Sequence, residues 1–161
     1  MPEKAEDLIA RLGLAPLPVE GGYFRRTYRS PSRVETPSGT RDLMTSIYYL
    51  ITAACRCRLH RLRSDELYHF YAGDAVHMLQ LFDGGEGKVV TLGPDTAQGQ
   101  EPQLLVPAGV WQGSWLSGAG EFALMGTTVT PGFTWDDFED ADRANLLSGY
   151  KAFSDLIEKL T

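Results

Sequence analysis

His60-Arg61-Leu62-Arg63-Ser64-Asp65-Glu66-Leu67-Tyr68-His69-Phe70-Tyr71-Ala72-Gly73 is the stretch whose reading decides the fold. An imidazole opens it and a carboxylate, Glu66, follows. Residues 67–71 then read as a short β run that Gly73 and Asp74 close. Strand side chains alternate, so Glu66, Tyr68 and Phe70 share a face, and a turn brings ligands from a neighbouring strand into the same space. A second fragment, Pro107-Ala108-Gly109-Val110-Trp111-Gln112, looks like its spatial counterpart. Together the two outline a pocket for a metal or a small polar ligand. Imidazole and carboxylate ligands with open positions suit zinc, iron, manganese or nickel.

On both sides of this stretch the pattern is one of short strands. Residues 43–52 and 54–62 precede it. Candidate strands at 66–71, 75–82, 88–92, 103–107, 110–116 and 121–129 follow, separated by turns such as Asp83-Gly84-Gly85 and Ser117-Gly118-Ala119-Gly120. Short strands at this spacing with glycine-rich turns predict an all-β barrel rather than a parallel α/β sheet. Ahead of them, 20–29 reads as a glycine turn running into an aromatic strand, and 30–40 as a loop with Pro31, Pro37 and Gly39.

Both ends read as helical. Ala5, Leu8, Ile9 and Leu12 give an amphipathic helix over 3–12, with Gly13 as its stop and Glu3 and Asp7 near its positive end. Near the other end, Asp140 or Asp142 can cap a helix carrying Leu146, Tyr150, Phe153, Ile157 and Leu160. Gly149 inside that pattern costs about 1 kcal/mol against alanine and favours two shorter helices. This tail is expected to pack on the barrel. The acidic run Asp136, Asp137, Glu139 and Asp140 lacks a calcium-loop spacing and reads as capping and solvated charge.

At 161 residues the chain is one domain, residues 1–161, and can bury about 70% of its unfolded surface without disulfides. A net charge of −6 argues against nucleic acid as a partner. No apolar run is long enough for a membrane span, and the acidic N-terminal segment lacks a signal-peptide core, so the expected location is cytoplasmic. Cys55 and Cys57 lie roughly 6.6 Å apart on one strand face, at the outer limit for a disulfide, and read as buried thiols.

With these residues in place the chain resembles the cupin superfamily. His60, Glu66 and Gly73 match the first cupin motif, with Leu62 where a second histidine belongs. Pro107 and Gly109 match the second motif, with Gln112 in place of its histidine and Leu116 in place of its asparagine. Glu20-Gly21-Gly22-Tyr23-Phe24-Arg25, Ser64-Asp65-Glu66, Val106 to Gln112 and Val129-Thr130-Pro131-Gly132-Phe133 resemble the signatures of the cupin-5 family of unknown function. The resemblance implies a double-stranded β-helix (jelly-roll) barrel with short terminal helices, a pocket inside it, and a homodimer. Fold alone assigns no reaction.

The departures bear on mechanism. At most His60, Glu66 and the amide oxygen of Gln112 remain as metal ligands, so the expected cofactor is a weakly held divalent transition metal or none. Without metal, His60 and Glu66 can act as a proton-transfer pair, with Tyr68 as the acid that epimerases of the resembled type add. Trp111, Phe70 and Gln112 are candidate ligand contacts. The bland alternative is a polar binding pocket without catalysis, in which His60 and Glu66 satisfy each other. His69, of opposite parity to Glu66, reads as outward-facing, and the face of His77 is open.

Alternation poses a conflict. A lumenal His60 places Arg58 and Arg56 inside as well, with Cys55, Cys57 and Leu59 outside. Either a bulge between Arg58 and His60 flips the phase, or a second subunit covers the Cys57/Leu59 face. In the second case Arg58 sits near the barrel mouth and the ligand is acidic. A sugar-like ligand is the other expectation.

Overall fold

A run of short, β-branched and aromatic segments has one way to hide its apolar alternate residues, which is to close two sheets on each other. The structure, a computed structural model, describes residues 4–161. Its helices are α1 (Ala5–Leu12), α2 (Arg143–Gly149) and α3 (Ser154–Leu160). The strands up to the central stretch are β1 (Ala15–Pro16), β2 (Tyr23–Arg29), β3 (Arg33–Thr36), β4 (Gly39–Asp42), β5 (Thr45–Thr52), β6 (Cys57–Arg61) and β7 (Asp65–Gly73). Those after it are β8 (Val76–Leu81), β9 (Gly87–Leu92), β10 (Gln103–Val106), β11 (Trp111–Leu116), β12 (Phe122–Thr130) and β13 (Glu139–Asp140). One sheet has the order β1-β2-β5-β12-β7-β10 and the other β13-β6-β11-β8-β9, with every strand pair antiparallel. The result is the expected jelly roll, and among the described residues no helix is long and apolar enough to cross a membrane.

The core between the sheets follows from strand parity. Tyr49, Ile51, Tyr68, Ala123 and Met125 face inward from one sheet, and Cys57, Val76, Met78, Leu92 and Leu116 from the other. Burying each large apolar side chain is worth roughly 1.5–3 kcal/mol. The opposite faces are covered by the chain's own helices. Ala5 and Leu8 of α1 pack with Leu50, Phe122 and Leu124, while Leu146, Ile157 and Leu160 of α2 and α3 pack with Leu59, Leu79, Leu81 and Trp111. Glu3, expected in the first helix, lies outside the described residues. The C-terminal pattern does divide into two helices, and Asp142 caps the first by accepting from the backbone N–H groups of Ala144 and Asn145.

The parity conflict at Arg58 has a structural answer. Gln112 pairs with His60 and Ser114 with Cys57, so two residues of β6, Arg58 and Leu59, oppose the single Gly113 of β11. This bulge turns both Cys57 and His60 inward and leaves Arg58 half-exposed outside. Leu59 faces out and is covered by α3, not by a second subunit as one alternative held. A Cβ at Gly113 would lie 3.1–3.2 Å from Leu59 and Leu160, so glycine lets α3 sit close on this face.

The 30–40 segment also differs from its expected loop character. Arg33–Thr36 and Gly39–Asp42 pair as a hairpin, because Pro31 precedes the first strand and Pro37 sits in the turn, where neither removes a ladder hydrogen bond. Arg41 of this hairpin forms a buried ion pair with Asp137 at 2.9 Å and bonds to Thr134. The backbone N–H of Gly132 donates to Asp42 O at 2.8 Å. The hairpin thereby buttresses residues 131–137, which border the cavity described next.

Candidate functional site

Four pieces of chain converge at one end of the space between the sheets. The first is the turn over residues 17–22. Leu17 N donates to Gly22 O at 2.9 Å and Gly21 N to Leu17 O at 3.2 Å, closing a tight loop with Glu20 at its tip. Val19 takes φ 66°, a sterically costly value for a β-branched residue. Gly21 follows at φ 93°, where an added Cβ would lie 2.5 Å from Arg56 O. The close approach anchors the loop to β6, with Arg58 N donating to Glu20 O at 2.8 Å. Its consequence is that the Glu20 carboxyl enters the interior, its side chain only 12% exposed.

The second piece is the β6 bulge. It sets His60 and Cys57 beside that carboxyl, with Glu20 Oε1 4.0 Å from His60 Nε2 and 3.5 Å from Cys57 Sγ. His60 Nδ1 lies 2.8 Å from Arg58 O, an acceptor only, so Nδ1 carries the proton and Nε2 keeps its lone pair. Phe138 stacks on the ring at 5.0 Å. The third piece is β7 facing β11 across the space between the two sheets, where Gln112 Nε2 donates to Glu66 Oε2 at 2.8 Å. The fourth is β2 and β5, where Phe24 pairs with Tyr49 and Arg26 with Ile47 on the inward face.

These pieces enclose a cavity of about 100 Å³. Glu20, His60 and Glu66 border it together with Thr45 and Thr127. Leu17, Phe24, Ile47, Leu62 and Val129 form apolar walls, and Arg26, Phe133 and Trp135 complete the lining. Arg26 and Trp135 are solvent-exposed and mark the mouth.

Burial dominates the electrostatics. It raises Glu20 from 4.5 to about 7, with the Cys57 thiol pulling weakly the other way. Burial also raises Glu66, helped by the nearby Glu20 charge and opposed by His60, Gln112 and Thr127. It lowers His60, against the pull of Glu66, the Arg58 carbonyl and Asp140. The Cys57 thiol and the Tyr68 phenol are both pushed well up, first by burial. Near neutral pH the site thus holds a neutral imidazole beside a carboxyl group that is about half protonated.

Of the residues singled out in the sequence, His60, Glu66 and Gln112 meet here, at the end of the core where Tyr68 lies fully buried. Tyr68 does not line the cavity, and its hydroxyl has no hydrogen-bond partner among the described residues, nor does Gln112 Oε1. Phe70 packs at the edge of the core. Arg58 and Trp111 are elsewhere. Arg58 points outward, 3.8 Å from Asp140 and 3.4 Å from Thr161 O. Trp111 lies under the C-terminal helices with Arg61 over its ring at 4.5 Å. Arg58 is displaced by the bulge, and Trp111 by strand alternation next to the inward Gln112. His69 bonds to Thr128 and Gln103 and His77 to Thr91, all away from the cavity.

Sequence reasoning missed Glu20, Cys57, Arg26 and Trp135 as site residues. The doubled glycine after Glu20 and the alternation of Phe24 with Arg26 were the available signals.

At the metal positions of the resembled motif, Leu62 has no ligand atom, and the Gln112 amide nitrogen donates to Glu66 while its oxygen has no partner among the described residues. A different set fits better: Glu20, Cys57 and His60 each offer a ligand atom within 4.8 Å of the others.

Comparison with known proteins adds context. The family model described as Cupin superfamily (DUF985), Cupin_5, matches residues 6–141. The uncharacterized protein YML079W of Saccharomyces cerevisiae is 32% identical over 135 residues, 75% of this chain and 66% of the relative, so the chain spans just under two thirds of that relative's length. The crystal structure of protein SO0799 from Shewanella oneidensis superposes with TM-score 0.89 at 39% identity, covering 99% of this chain and 98% of that one. A hypothetical protein from Leishmania major gives TM-score 0.91 at 32% identity, with 99% of each chain covered. The fold alone is shared with Bacillus subtilis oxalate decarboxylase, with TM-score 0.56, 13% identity, and coverage of 92% of this chain and 37% of that one.

Proposed function

The chain belongs to the Cupin_5 family of the cupin superfamily, and from that premise we propose that its cavity binds a small polar molecule and exchanges a proton with it, as an isomerase or epimerase does. The observation that carries this is the His60 geometry. Its Nδ1 proton is committed to Arg58 O, and its Nε2 lone pair lies 4.0 Å from the Glu20 carboxyl on the cavity wall.

His60 Nε2 takes the hydrogen from a carbon beside a carbonyl. The bonding electrons move to the carbonyl oxygen, which receives the Glu20 proton, and the reverse steps return a hydrogen to carbon. The Glu66 charge favours the imidazolium that forms in between. Glu20 replaces Tyr68 as the acid, because burial holds the phenol proton firmly and its hydroxyl does not border the cavity.

The test is hydrogen exchange at carbon 3 of 2-oxobutanoate in D2O, followed by NMR. The wild type should accelerate deuterium incorporation over buffer, and His60→Gln should remove roughly 10²-fold or more of that acceleration. No acceleration by the wild type refutes proton transfer and leaves a binding pocket without catalysis.

A second reading rests on the Glu20, Cys57 and His60 set, whose thiol, imidazole and carboxylate suit zinc or a similar divalent ion. Metal binding would draw off the Cys57 proton that burial otherwise retains. It would also occupy the nitrogen the first reading needs as a base, so the two exclude each other. Elemental analysis of protein purified without chelator separates them. About one equivalent of a transition metal favours the second, and less than about a tenth favours the first.

A further inference from the structure

The cavity is chemically lopsided. Its buried end holds Glu20, His60 and Glu66, all acceptors when unprotonated, and its mouth holds one cation, Arg26. Between them lie apolar walls that include Phe24, Ile47 and Val129. Arg26 makes no hydrogen bond or ion pair within the described residues. The nearby Asp42 is already engaged by Arg29 at 2.6 Å and Arg33 at 3.1 Å, leaving the Arg26 guanidinium available. Its inward position is set by register. It pairs with Ile47 two residues beyond the Phe24–Tyr49 pair, on the same face, before Thr27 bulges out of β2. A guanidinium at the rim of an apolar cleft is a fork for a carboxylate, and the wall behind it strengthens that pairing by limiting water.

From this we infer that the ligand is a small bipolar acid. Its carboxylate pairs with Arg26 at the mouth, a short apolar segment crosses the walls, and a hydroxyl or amino group donates into the Glu20–His60–Glu66 end. A volume of about 100 Å³ exceeds several-fold the ~10–15 Å³ that one water needs in the same measure, and suits an acid of a few carbons rather than a sugar nucleotide. Arg26 is then a specificity-determining residue that touches the ligand and takes no part in the proton transfer. The inference rests on the reading of the buried end as the place of proton exchange, and it adds the class of molecule bound there.

The test is binding, measured by calorimetry, with unbranched ω-hydroxy acids of three to six carbons, their amides, and the matching acids lacking the hydroxyl. In the wild type, at least one chain length should bind about tenfold tighter as the acid than as the amide, and removing the hydroxyl should weaken it several-fold. Arg26→Gln should abolish the acid-over-amide preference, and Arg26→Lys should restore part of it. The inference is overturned if acid and amide bind within twofold of each other, if Arg26→Gln keeps the preference, or if no member of the series binds. The wild type's own deuterium exchange separates this from the catalytic reading. Acid preference in a wild type that shows no exchange refutes proton transfer and supports the bipolar site, whereas wild-type exchange that His60→Gln removes, without acid preference, does the reverse.

Discussion

Replacing Glu20 by glutamine should make the protein more stable at pH 8, although it removes a side chain of the candidate site. Glu20 sits beside Cys57 and His60, and burial raises it from 4.5 to about 7. The native state therefore holds this proton through a range in which the unfolded chain releases it. For a carboxyl raised in this way, stability is greatest below the unfolded value of 4.5 and is lost as pH climbs toward 7. At about 1.36 kcal/mol per pH unit, the interval from 4.5 to about 7 corresponds to about 3 kcal/mol of destabilisation at pH 8. The Glu20→Gln amide never ionises and keeps the shape of the carboxyl it replaces. Urea unfolding of both proteins between pH 4.5 and 9, with chelator present, should show curves that nearly coincide at the acid end. They should separate in favour of Glu20→Gln by about 3 kcal/mol above pH 7. The difference between the proteins is the informative quantity. His60, lowered in the native state, gives both proteins stability that rises with pH, and Glu66, raised, opposes it in both. A difference that is flat with pH, or a variant less stable than wild type at pH 8, would refute the buried-carboxyl reasoning.

Two further predictions concern the mouth and the metal positions. Arg41→Ala should cost about 3–5 kcal/mol in urea unfolding, because it leaves Asp137 buried without its partner, and Arg41→Met with Asp137→Leu should recover most of that loss. Leu62→His places an imidazole on the cavity wall beside His60 and Glu66 and should bind Ni²⁺ or Zn²⁺ at least tenfold tighter than wild type by calorimetric titration. Equal affinity would mean that the missing histidine is not what limits metal binding there.

Much of the architecture is legible from residue pattern, because strand alternation, glycine-rich turns and capping are local. The eight strands expected over 43–129 occur within a few residues of their places, as does the split of the C-terminal pattern at Gly149. The 30–40 segment escaped this reading because its prolines flank two strands, and composition does not distinguish a proline in a turn from one in a loop. The site was half legible. His60, Glu66 and Gln112 are named by motif position; the β6/β11 pairing sets His60 beside Gln112, and Glu66 meets them from the opposite sheet.

What the sequence by itself determined is therefore the jelly roll and the meeting of an imidazole with a carboxylate. What only the tertiary structure decided is the site's other half. A single bulge at Arg58 and Leu59 sends Arg58 outward and Cys57 inward, and one strained turn at Val19 carries Glu20 to His60. Both depend on which backbone groups pair across strands far apart in the chain, and alternation counted along one strand holds no record of such pairing.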